Sequence, residues 1–171
     1  MRAYEELVRR HEALAFRCAF LIVGDAEEAR DATQDAFVRA FHALGRFRAG
    51  EAFRPWLLTI VGNQARNRRR SANRRAGLVL RAGRELGATA PSAEEATLAG
   101  ERRAELLHAI EQLRVEDREV IAMRWFAELS EAEMSGVLNC PRGTVKSRLG
   151  RAMGRLRTTL LAAKPSDQAH D

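Results

Sequence analysis

Cysteine is scarce in this sequence: of 171 residues only Cys18 and Cys140 are cysteines, and no CxxC pair occurs. A disulfide framework and a thiolate metal site are therefore excluded. The four histidines, His11, His42, His108 and His170, never fall at ligand spacing, so no metal and no cofactor are expected. Carboxylates and histidines nowhere gather into a nucleophile, base and orienter, which argues against an enzyme. Proline (4) and glycine (12) are too few for a collagenous chain, and 46% hydrophobic residues exclude wholesale disorder. Long apolar runs are missing as well. No stretch of about 18 apolar residues exists, and the opening MRAYEELVRRHEALAFRCAFLIVGD is broken by charge where a signal peptide needs an apolar core. The expected protein is neither membrane-inserted nor secreted, and is cytoplasmic.

What the chain does have is positive charge and helical periodicity. Lys and Arg number 29 against 23 Asp and Glu, a formal net charge of +6. Apolar residues recur at helical spacing and nothing alternates with period two for long, which predicts an all-α fold. Leu7, His11, Leu14, Cys18 and Leu21 share one face of a first helix that Gly24 stops. Asp25 followed by Glu28 signals the start of a second helix running to about Leu44. A third begins near Phe53, buries Phe53, Leu57, Ile60 and Val61, and continues into QARNRRRSANRR, with six arginines and no acid. Composition then shifts to Ala and Gly, with Pro91 and Ser92, before periodicity returns at Leu107, Ile110 and Leu113. The expected organisation is two small helical domains, 1–77 and 99–163, joined by a flexible linker, 78–98, with a frayed tail, 164–171. Modules of this size have small, marginal cores.

The strongest local signal is LSEAEMSGVLNCPRGTVKSRLGRAMGRLRTTL. SEAE is a capping box opening a short helix whose buried stripe is Met134, Val137 and Leu138. Asn139, Cys140 and Pro141 break it, and Pro141 suits the first turn of the next helix, where its missing N–H costs nothing. On that second helix Val145, Leu149, Ala152, Leu156 and Leu160 share one face, while Thr144, Ser147, Arg151 and Arg155 lie opposite, free of acids. A short helix, a tight turn and a longer helix with hydroxyls and arginines on its outer side meet the requirements of major-groove reading. The alternative is a solvated basic face on an ordinary helical hairpin.

The N-terminal module carries two further surfaces. Asp31, Gln34, Asp35, Val38, Arg39 and His42 fall together on the second helix, opposite Ala29, Ala36 and Ala40. An acidic face holding an apolar residue, in a chain of positive charge, suits docking to another protein as well as it suits plain solvation. On the third helix Asn63, Arg66, Asn67, Arg70 and Arg74 form a stripe of amides and guanidiniums. The preceding loop brings Arg46, Phe47, Arg48, Phe53, Arg54 and Trp56 together, a basic loop with aromatics able to hold an unstacked base or, in the simpler reading, to seal the core.

The sequence resembles the extracytoplasmic-function sigma factors, the smallest class of the sigma-70 family, over nearly its whole length. LVRRH, VGDAEEARDATQDAFVRAFHALGRF and FRPWLLTIVGNQARNRRR are similar to the family's second region in order and spacing, and LLHAIEQLRVEDREVIAMRWFAELSEAEMSGVLNCPRGTVKSRLGRAMGRL to its fourth. The resemblance implies a promoter-specificity subunit of bacterial RNA polymerase, with core polymerase and promoter DNA as partners and an anti-sigma factor as a further one. It assigns Asp31, Gln34, Asp35, Val38 and Arg39, with His42 on the same face, to the clamp helices of the largest polymerase subunit, and the C-terminal domain to the flap of the second-largest. It assigns the loop with Arg46, Arg48 and Arg54, and the helix with Asn63, Arg66, Asn67 and Arg70, to the minus-ten element and its opening. It assigns Arg142, Thr144, Lys146, Ser147, Arg148 and Arg151, with Arg155 on the same face, to the minus-35 element.

The chain departs from the family pattern at Val115, where proline is usual, at Met134 and Ser135, which replace Ile-Ala, and at Gly150 and Met153. The rival function is a stand-alone helix-turn-helix regulator, which needs a dimerisation surface to read paired half-sites. No heptad seam supplies one.

Overall fold

The computed structural model describes residues 2–48, 50–81 and 98–163, all helix and connecting turns with no strand among the described residues. The first helix, α1 (Arg2–Val23), ends at Gly24, whose φ of +84° is open to glycine at little cost and whose N–H donates to the Phe20 carbonyl at 2.7 Å. Asp25 then caps α2 (Ala26–Ala43), its carboxylate accepting from the Glu28 N–H at 2.9 Å. A 3₁₀ turn (Leu44–Arg46) leads into the basic loop and α3 (Phe53–Arg81). Ala29, Ala32, Ala36 and Ala40 are fully buried on α2, and these small side chains let α1 and α3 approach closely around Cys18, Ile22, Leu57 and Val61. The Tyr4 hydroxyl ties α1 to α2 by donating to the Phe37 carbonyl.

The helix α3 runs to Arg81, four residues into the stretch expected to be linker, because Leu78, Val79 and Leu80 contain no breaker. The rest of the expected linker, 82–97, and the expected tail, 164–171, lie outside the described residues.

The second group comprises α4 (Leu98–Glu111), α5 (Val115–Ile121), a π turn (Ala122–Phe126), α6 (Glu131–Val137) and α7 (Arg142–Ala163). Val120, Met123, Leu129, Met134, Val145 and Ala152 form its interior. The widened turn tips Trp125 and Phe126 toward solvent, and the Ala127 N–H closes it by donating to the Ala122 carbonyl at 3.0 Å.

The two groups pack on each other. Helix α1 lies against α4, α5 and the π turn, α3 lies against α6, and one buried apolar cluster runs through both. Small cores gain burial by joining. Arg118 of α5 is 2% exposed at this seam and donates to the carbonyls of Ile22 at the end of α1, of Leu113 and of Glu111. Its fork satisfies helix-end carbonyls that would otherwise be buried unpaired.

Candidate nucleic-acid interface

The helix-turn-helix forms as its turn chemistry requires. Ser130 Oγ accepts from the Glu133 N–H at 3.2 Å while the Glu133 carboxylate accepts from the Ser130 N–H at 2.8 Å, a reciprocal cap on α6. The Ser130 N–H and, at 2.7 Å, the Ser130 hydroxyl donate to the Glu133 carboxylate and hold it below its ordinary pKa. Asn139 takes a φ of +47° in the turn, Ser135 Oγ donates to the Cys140 carbonyl at 2.7 Å, and the Pro141 carbonyl receives the Thr144 and Val145 N–H groups that start α7. Val145, Ala152 and Leu156 pin α7 to the core.

With the inner face fixed, Arg142, Lys146, Ser147, Arg151 and Arg155 are exposed, and Thr144 and Arg148 are half-buried. The Arg151 Nε donates to the Ser147 carbonyl at 3.2 Å, which aims the rest of the guanidinium outward. Ser147 Oγ donates to the Thr144 carbonyl at 3.0 Å and keeps its lone pairs available. Arg155 differs from its neighbours on this face: it donates to Asp117 of α5 at 2.6 Å, a carboxylate almost entirely buried. Its guanidinium ties α7 to α5. No acid stands near it on α7 itself, so the pairing is invisible to a helical wheel.

On α2 the expected face is exposed, with Val38 at 57% and Asp31, Gln34, Asp35, Arg39 and His42 around it. The acids are not free. Arg68 of α3 donates to Asp31 and to Asp35 at 2.8 Å each and to Glu28 at 3.2 Å, and Arg75 also reaches Glu28. The stripe expected on α3 holds Asn63, Arg66, Asn67, Arg70 and Arg74, and gives Arg68 and Arg75 no role. Arg68 and Arg75 stand seven apart, two helical turns, on the side facing α2, and that different face of the helix, not the spacing itself, separates them from Asn63, Arg66, Asn67 and Arg70.

The loop aromatics form a cluster. Phe47 lies 5.0 Å from Trp56 and 5.8 Å from Phe53, and Phe53 packs on His11 at 5.2 Å between ring centroids. All are half-buried, sealing the end of the bundle while leaving ring edges accessible. Arg46 and Arg48 are exposed around them and Arg54 is half-buried. Beyond them Asn63, Asn67 and Arg70 point outward, whereas Arg66 donates both to Asn63 Oδ1 and to the Glu119 carboxylate of α5.

Two family models match the chain in order: Sigma-70 region 2 over residues 7–75 and Sigma-70, region 4 over residues 103–156. The RNA polymerase sigma-H factor of Pseudomonas aeruginosa is 34% identical over 159 residues, covering 88% of this chain and 82% of that protein. The ECF RNA polymerase sigma factor SigL of Mycobacterium tuberculosis is 34% identical over 164 residues, with 94% of this chain and 88% of the relative aligned. Among solved structures, CnrH in complex with the cytosolic domain of CnrY superposes with a TM-score of 0.71 at 27% identity, covering 95% of this chain and 90% of that one. The sigma factor RpoE of Bartonella quintana, solved with the anti-sigma factor NepR, shares the fold with a TM-score of 0.73 at 23% identity, over 96% of this chain and all of that one. Matching both regions in sequence order, with relatives aligned over most of their length, places the helix-turn-helix and the basic third helix in one context: the chain belongs to the extracytoplasmic-function sigma factors of the sigma-70 family, the subunits that direct RNA polymerase to promoters.

Proposed function

We propose that this chain is a non-catalytic, cytoplasmic subunit in which each exposed surface has one partner. The acidic face of α2, with Asp31, Gln34, Asp35, Val38, Arg39 and His42, docks on the clamp helices of core polymerase, and the C-terminal group contacts the flap. Arg46, Arg48 and Arg54 with Asn63, Arg66, Asn67 and Arg70 engage the minus-ten element as it opens. Arg142, Thr144, Lys146, Ser147, Arg148 and Arg151 engage the minus-35 element. An anti-sigma factor is a further partner, in keeping with the CnrH and RpoE complexes.

One observation carries this reading. Among the described residues, no carboxylate lies within ion-pair distance of Arg142, Lys146 or Arg151, on a helix whose opposite face is locked by a capped turn. Such a cationic surface is left for an anionic partner. The test is reconstitution: the chain is mixed with core polymerase, passed over a sizing column, and assayed for run-off transcription. Stoichiometric co-elution and promoter-dependent initiation are expected, with Val38→Asp losing co-elution while keeping its helical spectrum. A stand-alone regulator would bind DNA in the same assay without co-eluting with polymerase.

A further inference from the structure

The basic loop between the 3₁₀ turn and α3 has little of its own to hold it in place. Among its described residues Arg48, Gly50, Glu51 and Ala52 are exposed, and Phe47 alone is half-buried. Its backbone bonds close locally: the Phe47 N–H donates to the Leu44 carbonyl at 3.0 Å and the Glu51 N–H to the Arg48 carbonyl at 3.2 Å. The ion pair of Arg48 with Glu51, at 3.9 Å, is local as well. Gly50 turns the chain at a φ of +94°, and a Cβ there would meet nothing within 4 Å. What fixes the loop to the bundle is therefore the ring of Phe47.

Phe47 meets two rings of α3, Trp56 at 5.0 Å and, edge-on, Phe53 at 5.8 Å, and those two lie 5.4 Å apart. Phe53 in turn packs on His11 of α1 at 5.2 Å, with the rings tilted by 46°. A chain of ring contacts thus runs from α1 through the first residue of α3 to the loop. His11 is half-buried, and among the described residues no hydrogen bond engages its ring nitrogens, so packing alone keeps it in place. Burial holds its pKa below the ordinary histidine value, and the charges of Arg10 on its own helix and Arg54 on α3 act in the same direction. No carboxylate is among the charges acting on it, and the neutral ring is the form that suits this place.

We propose that His11 is a positioning residue for the minus-ten surface: its imidazole, packed on Phe53, sets the seat of Phe47 and so the placement of Arg46, Arg48 and Arg54 against the opening strand. The inference rests on the reading of that loop as a minus-ten contact, and it adds to the loop's support a residue of α1 more than thirty positions away in sequence. Bases freed by opening are best met by side chains already in place, because ordering a loose loop at that moment draws on the binding energy. An unseated loop keeps its charge and loses its geometry. The cost therefore falls on opening, not on assembly with polymerase. Protonation favours the released, solvated imidazole, so the seated fraction falls as the pH drops through the histidine range.

The test uses the full chain with two substitutions that leave every proposed DNA contact in place. His11→Phe keeps a flat ring on Phe53 and cannot titrate, whereas His11→Ala removes the ring. The chain has two tryptophans, so in a Trp125→Phe background Trp56 is the sole one, and its fluorescence reports the seat without DNA. Between about pH 8 and pH 5 the emission of the protein with His11 is expected to titrate with a midpoint below that of an ordinary histidine, and that of His11→Phe to stay flat. In reconstituted holoenzyme, on a promoter that it transcribes, His11→Ala is expected to co-elute normally with polymerase at neutral pH. Its permanganate reactivity at minus-ten thymines is expected to fall about tenfold, with His11→Phe within about twofold of the parent. Emission that follows the same course in His11→Phe overturns the seat, whatever the stability of the alanine variant. A folded His11→Ala protein that opens the promoter as the parent does, or a His11→Phe protein that loses as much as His11→Ala, overturns the positioning role. Arg48→Ala, which leaves the rings untouched, judges the reading of the loop separately: normal opening by that variant removes the loop from the DNA surface and leaves the titration of the seat as found.

Discussion

The guanidinium of Arg68 on α3 lies 2.8 Å from the carboxylate of Asp35 on α2, and the same group holds Asp31 at 2.8 Å. The acidic face of α2 is therefore arranged in advance by an arginine of its own domain. A basic polymerase surface docking there, as proposed, would share these carboxylates with Arg68 instead of meeting them bare. Both acids are about half exposed, so each pair is worth no more than about 1 kcal/mol to stability. Their larger value is in orientation.

Asp31→Asn with Asp35→Asn is accordingly expected to leave the melting temperature nearly unchanged and to weaken retention of core polymerase by about tenfold or more, with the loss growing smaller as salt is raised. Arginine at both positions is a poorer test, because it sets three guanidiniums together and disturbs the α2–α3 contact itself. Sizing chromatography across a salt series measures the effect. Undiminished retention of the folded asparagine variant removes α2 from the docking surface.

The thiols are expected to differ sharply. Cys18 is fully buried in α1, and burial pushes its pKa up to about 12. Cys140 sits half-buried in the turn before α7. Iodoacetamide at neutral pH therefore modifies Cys140 in the native protein and reaches Cys18 only in denaturant, because the thiolate is the reactive form. Peptide mass mapping at short labelling times reads the order, and early modification of Cys18 would contradict the packing of α1.

Much of this was legible in the sequence. The stops at Gly24 and Pro141, the caps at Asp25 and Ser130, and the buried stripe of α7 are local signals, each set by residues within one helical turn. The minus-35 candidates on α7 could be assigned to a face for the same reason. The segment VEDREV was not readable this way: Asp117, Arg118 and Glu119 are three consecutive charges, yet all are buried. Their partners are Arg155, the end of α1, and Arg66, lying 38, 96 and 53 residues away in sequence. Periodicity records which face is apolar and carries no information on distant charges that neutralise a polar one. Arg68 escaped notice for the same reason.

The cap on α6 gives a pH dependence with a defined sign. Hydrogen bonds from the Ser130 N–H and hydroxyl hold the Glu133 carboxyl below its ordinary value. A depressed carboxyl contributes its stability above the unfolded pKa and loses it as the pH falls through the folded one. Ser130→Ala is expected to cost about 1 kcal/mol at neutral pH, and the gap between parent and variant is expected to narrow in the acid range without closing, because the hydroxyl's bond to the carboxylate titrates while its bond from the Glu133 N–H does not. Urea unfolding at two pH values measures it, and a gap of unchanged size in acid removes the hydroxyl–carboxylate bond from the cap's contribution.

Arg151 and Arg155 stand one helical turn apart on the outer side of α7 and are expected to fail in opposite ways. Arg155 is committed to the buried carboxylate of Asp117 at 2.6 Å, so Arg155→Ala strands that acid and lowers stability, with a loss of DNA affinity similar on every sequence. Arg151 has no acid partner among the described residues, and its Nε is anchored to the Ser147 carbonyl, leaving the outer edge of the guanidinium to meet a base. A guanidinium held this way suits bidentate contact with guanine, so Arg151→Ala is expected to cost about 1–3 kcal/mol concentrated at one base pair of the minus-35 element. If Arg151 instead holds phosphate, the loss is uniform across variants and the salt slope drops by about one unit. Competition over single-base variants of the element, run with holoenzyme at two salt concentrations and set beside thermal melts of both mutants, separates the outcomes. A uniform loss for Arg151→Ala refutes base reading by that residue, and a base-specific loss for Arg155→Ala refutes its confinement to Asp117.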